Sequence, residues 1–324
     1  MAVSIGSARA RATTSGRNRP RVLVIGGGFG GIHAVSRLAK SDCDVRVVDR
    51  RNHHVFQPLL YQVARAALSP SDIASPIRTV FRRQKNAQTV LGEVTGVDLD
   101  ARTVSIGGAR LEYDILVLAA GVTHSYFGND AWEARAPGLK TIDDALEIRR
   151  RVLLAFERAE FEADAERRAR LLTFVVVGGG PTGVEMAGAL REIAAQTSPR
   201  DFRRVDTTSS RVILVEGAER LLPAMSEKAS RGARSALERM GVEVRLKTFV
   251  TRIDAQAVYA DEQRIAAENV IWAAGVRAVD LAGSLGVEQD RQGRIVVGPD
   301  CAVPGHPEVF VVGDLAMQTS ATVS

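Results

Sequence analysis

Residues 21–31 read RVLVIGGGFGG, and this stretch decides the fold. An apolar run that ends in glycine is typical of a strand buried on both faces. Gly26, Gly28 and Gly31 then open a predicted helix that runs to about Lys40. In this G-x-G-x-x-G pattern the first glycine makes the turn, the second admits a pyrophosphate, and the third lets the helix pack against the strand. The stretch therefore predicts a dinucleotide site.

A second predicted strand ends at Asp49, close to the spacing of about 20 residues expected for an acid that binds a ribose hydroxyl. Strand, helix, strand and acid complete one βαβ unit. We assign four more positions to the same cofactor site, namely Gly30, Arg50, Ala120 and Gly121.

Residues 171–183 read LLTFVVVGGGPTG and repeat the pattern. Gly178, Gly180 and Gly183 form the second glycine turn, and Thr182 lies within it. These residues are assigned to a second dinucleotide, because a second buried strand again leads directly into a helix.

The acid of the second unit is Glu216, at the end of the predicted strand RVILVE. It follows its glycine turn at a longer distance than usual, and the polar stretch 197–210 accounts for the excess as a loop. A carboxylate there binds the 2′-hydroxyl of NADH and repels the 2′-phosphate of NADPH. We expect NADH for this reason, while Arg220 nearby leaves NADPH as an open alternative.

Two further landmarks indicate that the units are copies of one architecture. Leu-Ala-Ala-Gly ends at Gly121 and Trp-Ala-Ala-Gly ends at Gly275, at nearly the same distance from the preceding glycine turn. Ala274 and Gly275 are therefore assigned to the second cofactor.

The predicted fold class is α/β, with two Rossmann-like dinucleotide-binding domains. Further strands are predicted at 88–99, 102–106, 110–118, 242–246, 250–253 and 269–273, with a hairpin turn at Gly107-Gly108.

The predicted organisation places the second domain inside the first. Residues 1–20 are expected to be a disordered basic tail. Residues 21–141 and 285–324 form the first domain, and residues 142–284 form the second. One long charged helix, 142–168, is expected to bridge the two domains.

The composition is that of an ordinary globular protein, with a length of 324 residues, 45% hydrophobic residues and a net charge of +5. The positive charge suits anionic cofactors or an anionic membrane surface, and we expect no nucleic-acid partner. No window of about 18 apolar residues predicts a membrane span. Cys43 and Cys301 form no C-x-x-C pair, so neither a metal site nor a sequence-local redox dithiol is expected.

Two segments near the glycine turns allow more than one interpretation. Glu185 lies at the start of a predicted helix, where a carboxylate either stabilises the helix dipole or faces the junction of the two cofactors. The segment 52–61, NHHVFQPLLY, either packs the core or borders the first site. His53 and His54 are adjacent and would point apart in an extended segment, so a shared metal is not expected.

Five sequence blocks carry a family resemblance, namely GGGFGGIHA, FQPLLYQVA, AAGVTHSYFGND, GGGPTGVE and VFVVGD. In this order, between Arg21 and Asp314, the chain resembles the type II (non-proton-pumping) NADH:quinone oxidoreductases. The resemblance implies a glutathione-reductase-type fold with FAD in the first domain and NADH in the inserted second one. It also implies that Asp314 contacts the FAD ribityl chain and that Glu185 lies near the isoalloxazine. The loop containing Gln57 and Pro58 would border the flavin and a quinone channel, so Glu185, Gln57 and Pro58 are the predicted catalytic residues.

The chain departs from the family pattern after the Gly-Asp motif. Family members continue with a helix that carries an Ala-Gln motif beside the flavin, and then with amphipathic helices that dock on a membrane. Here the sequence stops shortly after residues 316–320, and a C-terminally truncated member is expected. The expected location is cytoplasmic, peripheral on the inner face of the cell membrane, with a homodimer as a possible assembly.

Two alternatives to NADH:quinone oxidoreduction stay open at this point. The chain could be a dinucleotide-binding fragment without turnover, or an NADH-dependent reductase of a small iron–sulfur protein. Disulfide reductases and sulfide:quinone reductases are disfavoured, because they rely on cysteines and this chain offers only Cys43 and Cys301.

Overall fold

The computed structural model describes residues 19–197 and 201–318. The predicted tail lies outside these residues except for its last two positions. The strands up to the first crossover are β1 (Arg21–Ile25), β2 (Asp44–Asp49), β3 (His53–Val55), β4 (Ala74–Pro76), β5 (Ala87–Leu91), β6 (Val94–Asp98), β7 (Thr103–Ile106), β8 (Ala109–Glu112), β9 (Ile115–Leu118) and β10 (Val122–His124). The helices of this part are α1 (Phe29–Arg37), α2 (Leu60–Ala64), α3 (Pro70–Ile73) and α4 (Ile77–Val80).

The remaining elements form the second unit and the return to the first. The helices are α5 (Ile142–Phe161), α6 (Ala165–Leu171), α7 (Pro181–Glu192), α8 (Glu227–Met240) and α9 (Asp280–Gly283). The strands are β11 (Thr173–Val177), β12 (Arg211–Val215), β13 (Val242–Arg245), β14 (Val250–Ile253), β15 (Ala257–Ala260), β16 (Gln263–Ala266), β17 (Asn269–Trp272), β18 (Val276–Ala278), β19 (Ile295–Val297), β20 (Ala302–Val303), β21 (His306–Val311) and β22 (Ala316–Gln318).

Two parallel sheets carry the two predicted dinucleotide units. The first has the order β20-β21-β9-β1-β2-β5, in which β20 is an antiparallel edge strand and the other five are parallel. The second has the order β13-β12-β11-β17 and is parallel throughout. The glycine-turn strands β1 and β11 lie inside their sheets, and all five residues of β11 are buried. The predicted two-domain α/β fold is therefore confirmed.

The repeat extends beyond the parallel sheets. A three-stranded antiparallel sheet, β6-β7-β8, directly precedes β9, the partner of β1, and β14-β15-β16 directly precedes β17, the partner of β11. Gly107 and Gly108 have φ values of +52° and +84°, so the predicted hairpin turn between β7 and β8 is confirmed.

Three predicted elements are each divided in the structure. The long helix 142–168 was predicted wrongly, because Glu162 is extended and the Asp164 carboxylate accepts from the Glu166 amide at 3.0 Å to start α6. The strand 110–118 splits into β8 and β9, and the strand 88–99 splits into β5 and β6. In both cases one half pairs in a parallel sheet and the other in an antiparallel sheet, so the chain must bend between them.

The chain crosses between the units along a two-stranded antiparallel ribbon formed by β10 and β18, in which Val122 pairs with Ala278. Ala278, at the end of the ribbon, and Ala282, just after it, are buried in the same core cluster as Leu23 of β1. The domain limits stay a prediction, but this packing favours a return to the first domain just after Gly275, earlier than the proposed limit of 284.

Within residues 19–197 and 201–318, no helix is both long and apolar enough to cross a membrane.

Candidate functional site

The first glycine turn has the shape that a pyrophosphate requires. Gly26 has a φ of +105°, and a Cβ on Gly31 would lie 1.8 Å from the Gly26 carbonyl oxygen, so neither position accepts a side chain without strain. A Cβ on Gly28 would meet no atom within 4 Å, which leaves space above the turn. Helix α1 begins here with no acidic residue in its first turn, so its unpaired amides and dipole favour an anion.

Asp49 lies at the base of this turn. Its Oδ2 accepts a hydrogen bond from the Gly27 amide at 2.6 Å, and its Oδ1 accepts one from the Arg51 amide at 2.7 Å. The carboxylate is therefore held beside the space above the turn, where a ribose would lie. Arg50 is exposed, and its guanidinium lies 3.8 Å from the Glu93 carboxylate.

The second glycine turn reproduces the first. Gly178 has a φ of +113°, and a Cβ on Gly183 would again lie 1.8 Å from the carbonyl oxygen of the first glycine. Nothing would meet a Cβ on Gly180. Pro181 begins α7 and Thr182 follows within its first turn, which carries no acid. The turn is therefore open to a second anion.

Glu216 takes the place of Asp49 in the second unit. Its Oε2 accepts a hydrogen bond from the Gly179 amide, and its Oε1 accepts one from the Ala218 amide at 2.7 Å. Arg220 turns away from this position, because its two terminal nitrogens donate to the carbonyl oxygens of Met225 and Pro223 at 3.1 and 2.8 Å.

The two Ala-Ala-Gly segments form a third side of each site. Gly121 and Gly275 have nearly identical φ values of +72° and +73°. A Cβ on Gly26 would lie 2.7 Å from the Ala119 carbonyl carbon, and one on Gly178 would lie 2.6 Å from the equivalent atom of Ala273. Each segment therefore lies directly against its glycine turn, and this places Ala120 and Ala274 at the rims of their sites.

Asp314 approaches the first site from the carboxyl end of β21. A Cβ on Gly30 would lie 3.1 Å from Val312 Cγ2 and 3.7 Å from the Gly313 nitrogen, so this segment borders the start of α1. The Asp314 side chain is 67% exposed, and its Oδ2 lies 3.9 Å from Lys140 Nζ. Its carboxylate is therefore free to accept a ligand hydroxyl.

Lys140 was missed by sequence reasoning. Its ammonium faces Asp314, and its carbonyl oxygen accepts a hydrogen bond from Gln57 Nε2 at 3.5 Å. Lys140 thus connects the Gln57 loop to the Gly-Asp turn. No motif in the sequence marks this residue, because both contacts join it to residues distant along the chain.

The loop that carries Gln57 and Pro58 lies at the rim of the first site. Both residues are exposed in a short 3-10 helix, whereas Leu60 just after them is buried, so this loop both borders the site and packs the core. His54 Nδ1 lies 3.0 Å from the Gly27 carbonyl oxygen. The Phe29 ring packs edge-on against His54, with the ring centroids 5.0 Å apart.

Glu185 lies in the second turn of α7, because this helix begins at Pro181 and not near Glu185 as predicted. Glu185 is therefore not placed to stabilise the dipole of α7 from its first turn. The residue is exposed, yet partial burial of its carboxyl raises the pKa above the ordinary value of 4.5. Within residues 19–197 and 201–318 no cation pairs with it.

The two cysteines and two neighbouring histidines have separate environments. Cys43 is buried and Cys301 is half-buried, and both are free thiols. His53 Nδ1 lies 3.0 Å from the Asn52 side-chain oxygen, whereas His54 faces the Gly27 carbonyl. The described residues contain no group of three or more His, Cys, Asp or Glu side chains that could hold a metal.

Two parallel sheets with matching glycine turns, each with its own acid, define a protein class with two dinucleotide-binding units. A profile of the pyridine nucleotide-disulphide oxidoreductases matches residues 20–324. The chain belongs to this family and, within it, to the type II NADH:quinone oxidoreductases, as the following relatives show.

The chain is 48% identical over 311 residues to a type II NADH:quinone oxidoreductase of Mycobacterium tuberculosis, covering 92% of this chain and 67% of the relative. It is 31% identical over 313 residues to a type II NADH:quinone oxidoreductase of Staphylococcus haemolyticus, covering 93% and 75%. The chain thus spans about two thirds of the length of its Mycobacterium relatives.

Solved structures show the same fold at low identity. NDH2 from Plasmodium falciparum in complex with NADH superposes with a TM-score of 0.85 at 22% identity, covering 93% of this chain and 65% of that one. The sulfide:quinone oxidoreductase from Aquifex aeolicus superposes with a TM-score of 0.77 at 19% identity, covering 92% and 69%.

Proposed function

We propose that this chain binds FAD and NADH, takes a hydride from NADH to the flavin, and passes two electrons to a quinone. The observation that carries the proposal is the pair of matching glycine turns at the carboxyl ends of two parallel sheets, each with a carboxylate at its base. The named relatives support the reaction, since they are type II NADH:quinone oxidoreductases.

The residues of the first site fit FAD. The open space above Gly28 admits the pyrophosphate, and Asp49 is placed to accept from the adenosine ribose. Asp314, exposed beside the start of α1, is placed to accept from a ribityl hydroxyl. When bound, the flavin supplies the two-electron chemistry, and the protein supplies position and charge.

The second site fits NADH better than NADPH. Glu216 holds a negative charge where the 2′-phosphate of NADPH would lie. Arg220, the cation that left NADPH open, donates to backbone carbonyls of its own loop instead. Both observations favour the 2′-hydroxyl of NADH.

Glu185, Gln57 and Pro58 are proposed to act at the junction of the two cofactors. Glu185 projects from α7, the helix that begins at the second glycine turn, and partial burial raises the pKa of its carboxyl above its ordinary value. Gln57 and Pro58 lie on an exposed rim linked through Lys140 to Asp314. This rim is the proposed approach for the quinone.

Attachment to the inner face of the cell membrane, an anionic lipid surface as partner and a homodimer stay predictions. The net charge of +5 is the feature of this chain that supports attraction to anionic lipids. Vesicle sedimentation with anionic against neutral lipid would measure that attraction, and equal binding to both would contradict it.

The test of the proposed function is an anaerobic absorbance spectrum of the purified protein with FAD, recorded before and after one equivalent of NADH. Bleached flavin bands are expected, because this chain contains the residues of both proposed sites. A protein that binds no flavin, or whose flavin NADH leaves oxidised, would favour a dinucleotide-binding chain without turnover. A quinone analogue and a ferredoxin, offered next as acceptors, would separate quinone reduction from reduction of an iron–sulfur protein.

A further inference from the structure

Two exposed phenylalanines lie against glycines at the two ends of the second dinucleotide site. Phe127 is 69% exposed and Phe249 is 63% exposed, although a large apolar side chain is stabilised by burial. A Cβ on Gly275 would lie 2.5 Å from the Phe127 ring, and one on Gly217 would lie 2.5 Å from the Phe249 ring. Each ring therefore packs on one side against the backbone of a glycine, and its other side is exposed to solvent.

The strand order shows which end of the ligand each ring would meet. In the order β13-β12-β11-β17, the pyrophosphate turn follows the inner strand β11. Glu216 and Gly217 follow β12 on one side, and Gly275 follows β17 on the other. Because the acid binds the adenosine ribose, the adenine end lies toward β12 and Phe249, and the nicotinamide end lies toward β17 and Phe127.

Phe249 is held in place beside the acid. Its amide donates to the Asp261 carboxylate at 3.2 Å, and its carbonyl oxygen accepts from the Asp261 amide at 2.8 Å. The preceding residue, Thr248, donates its amide to the Glu216 carbonyl oxygen at 3.1 Å. The backbone that carries the ring is therefore fixed relative to the carboxylate of the proposed adenosine end.

Phe127 is held in an uncommon backbone conformation. Its φ is +52°, which is disfavoured for a bulky residue. The Ser125 amide donates to the Gly275 carbonyl oxygen at 3.3 Å, and the Asn129 side chain donates to the Phe127 carbonyl oxygen at 3.4 Å. The ring packs at an angle against Trp272, with the centroids 6.2 Å apart. Phe127 thus combines a strained backbone with an exposed apolar side chain, and backbone strain of this kind clusters at ligand-binding positions.

The first site lacks equivalent rings at the same places. A Cβ on Gly121, the counterpart of Gly275, would meet nothing within 4 Å. The residue after Asp49 is Arg50, where the second unit has Gly217. The rings thus distinguish two otherwise matching units, which indicates a role specific to the second ligand.

We propose that Phe249 is a platform for the adenine and Phe127 a platform for the nicotinamide end of NADH. This inference rests on the proposed NADH site. Flat heteroaromatic rings stack on exposed aromatic side chains, and loss of one such platform is expected to weaken binding roughly tenfold, or about 1.4 kcal/mol. Both side chains are positioning residues, because they contact the ligand without taking part in the transfer.

The test compares two ligands on two variants of the FAD-loaded chain. Titration calorimetry measures the affinity for NAD⁺ and for ADP-ribose, which lacks the nicotinamide. Phe249→Ala is expected to weaken both ligands about tenfold, and Phe127→Ala is expected to weaken NAD⁺ while leaving ADP-ribose unchanged. Phe161→Ala, at a 75% exposed phenylalanine of α5, is the matched control and should change neither.

Unchanged NAD⁺ affinity in either variant, or equal weakening of both ligands by Phe127→Ala, would overturn the inference. If an alanine variant does not fold by circular dichroism, the leucine variant keeps the apolar bulk without the flat ring, and wild-type affinity in that variant would also overturn it. A wild-type chain that binds neither ligand would instead refute the proposed NADH site itself.

Discussion

A Cβ on Gly183 would lie 1.8 Å from the carbonyl oxygen of Gly178, and the same distance separates the Cβ position of Gly31 from the carbonyl oxygen of Gly26. In each unit the helix proposed to receive the phosphates is thus packed against the turn that precedes it, with no space for a methyl group. The close approach orients the helix N-terminus, so it bears directly on cofactor binding.

Gly183→Ala is expected to cost about 2–3 kcal/mol in stability and to weaken NAD⁺ binding at least tenfold, because the methyl group must displace backbone. The FAD content should be unchanged, since Gly31 is untouched. Calorimetric NAD⁺ titration and the flavin absorbance ratio measure the two effects. Gly188→Ala in the same helix is the control: its Cβ would meet side chains only at 3.8 Å, so a gain of about 0.5–1 kcal/mol is expected. Equal NAD⁺ affinity in both variants would contradict the prediction.

Glu216→Ala is expected to reduce the preference for NADH over NADPH. The change removes a charged hydrogen-bond acceptor, so the affinity for NADH should fall roughly 10- to 100-fold, while that for NADPH should change less. KM values for both nucleotides in a quinone-reductase assay measure this. Glu219→Ala removes an 81% exposed neighbour paired with Lys247 and should leave the ratio as it is. An unchanged ratio in Glu216→Ala would refute the assignment of the acid.

Asp114→Asn is expected to destabilise the chain near neutral pH by less than about 1 kcal/mol, because the ion pair with Arg21 is half-exposed. Hydrogen bonds from Arg21 hold the pKa of Asp114 at about 2, below its ordinary value of 3.8. Their stabilisation is therefore present above pH 3.8 and is lost as the pH falls toward 2. Urea unfolding across this pH range should show that the difference in free energy of unfolding between the wild type and Asp114→Asn shrinks as the pH falls. The exposed control Asp201→Asn should show no such change. A difference independent of pH would argue against the ion pair.

Glu185→Gln is expected to stabilise the chain near neutral pH while it slows turnover. Burial raises the pKa of Glu185 in the folded state, so the wild-type protein loses stability as the pH rises through and above 4.5, whereas the glutamine variant does not. The melting temperature of Glu185→Gln should therefore exceed that of the wild type by a margin that grows between about pH 4 and 8. Glu157→Gln on α5 is an exposed control. A lower melting temperature for Glu185→Gln at pH 8 would contradict this account.

The parts of the fold that follow from short-range pattern were predictable. The runs that form β1 and β11 lead directly into glycine turns, and a buried strand followed by G-x-G-x-x-G leaves one common architecture. The repeated Ala-Ala-Gly segments predicted the duplication for the same reason. Asp49, the last residue of β2, and Glu216, directly after β12, accept hydrogen bonds from the neighbouring glycine turns, and their contact with a ribose stays a prediction.

The parts that depend on tertiary placement were not predictable. The break at Glu162 was hidden because residues on both sides have good helix propensity, and an N-cap at Asp164 decides it. Lys140 borders the first site through contacts with Gln57 and Asp314, residues distant in sequence. Phe249 lies beside Glu216 only because β13 pairs with β12. Single-residue patterns carry no signal for such contacts.

The antiparallel ribbon of β10 and β18 brings the two ends of the inserted unit side by side, with Val122 opposite Ala278. When the two ends of an inserted segment are neighbours, the segment can be removed and the remaining chain joined by a short linker. We therefore expect the unit proposed to bind NADH to be exchangeable between related chains while the unit proposed to bind FAD stays in place. An exchange of this module between homologous chains, with both joints placed in the ribbon, would transfer nucleotide preference independently of the acceptor.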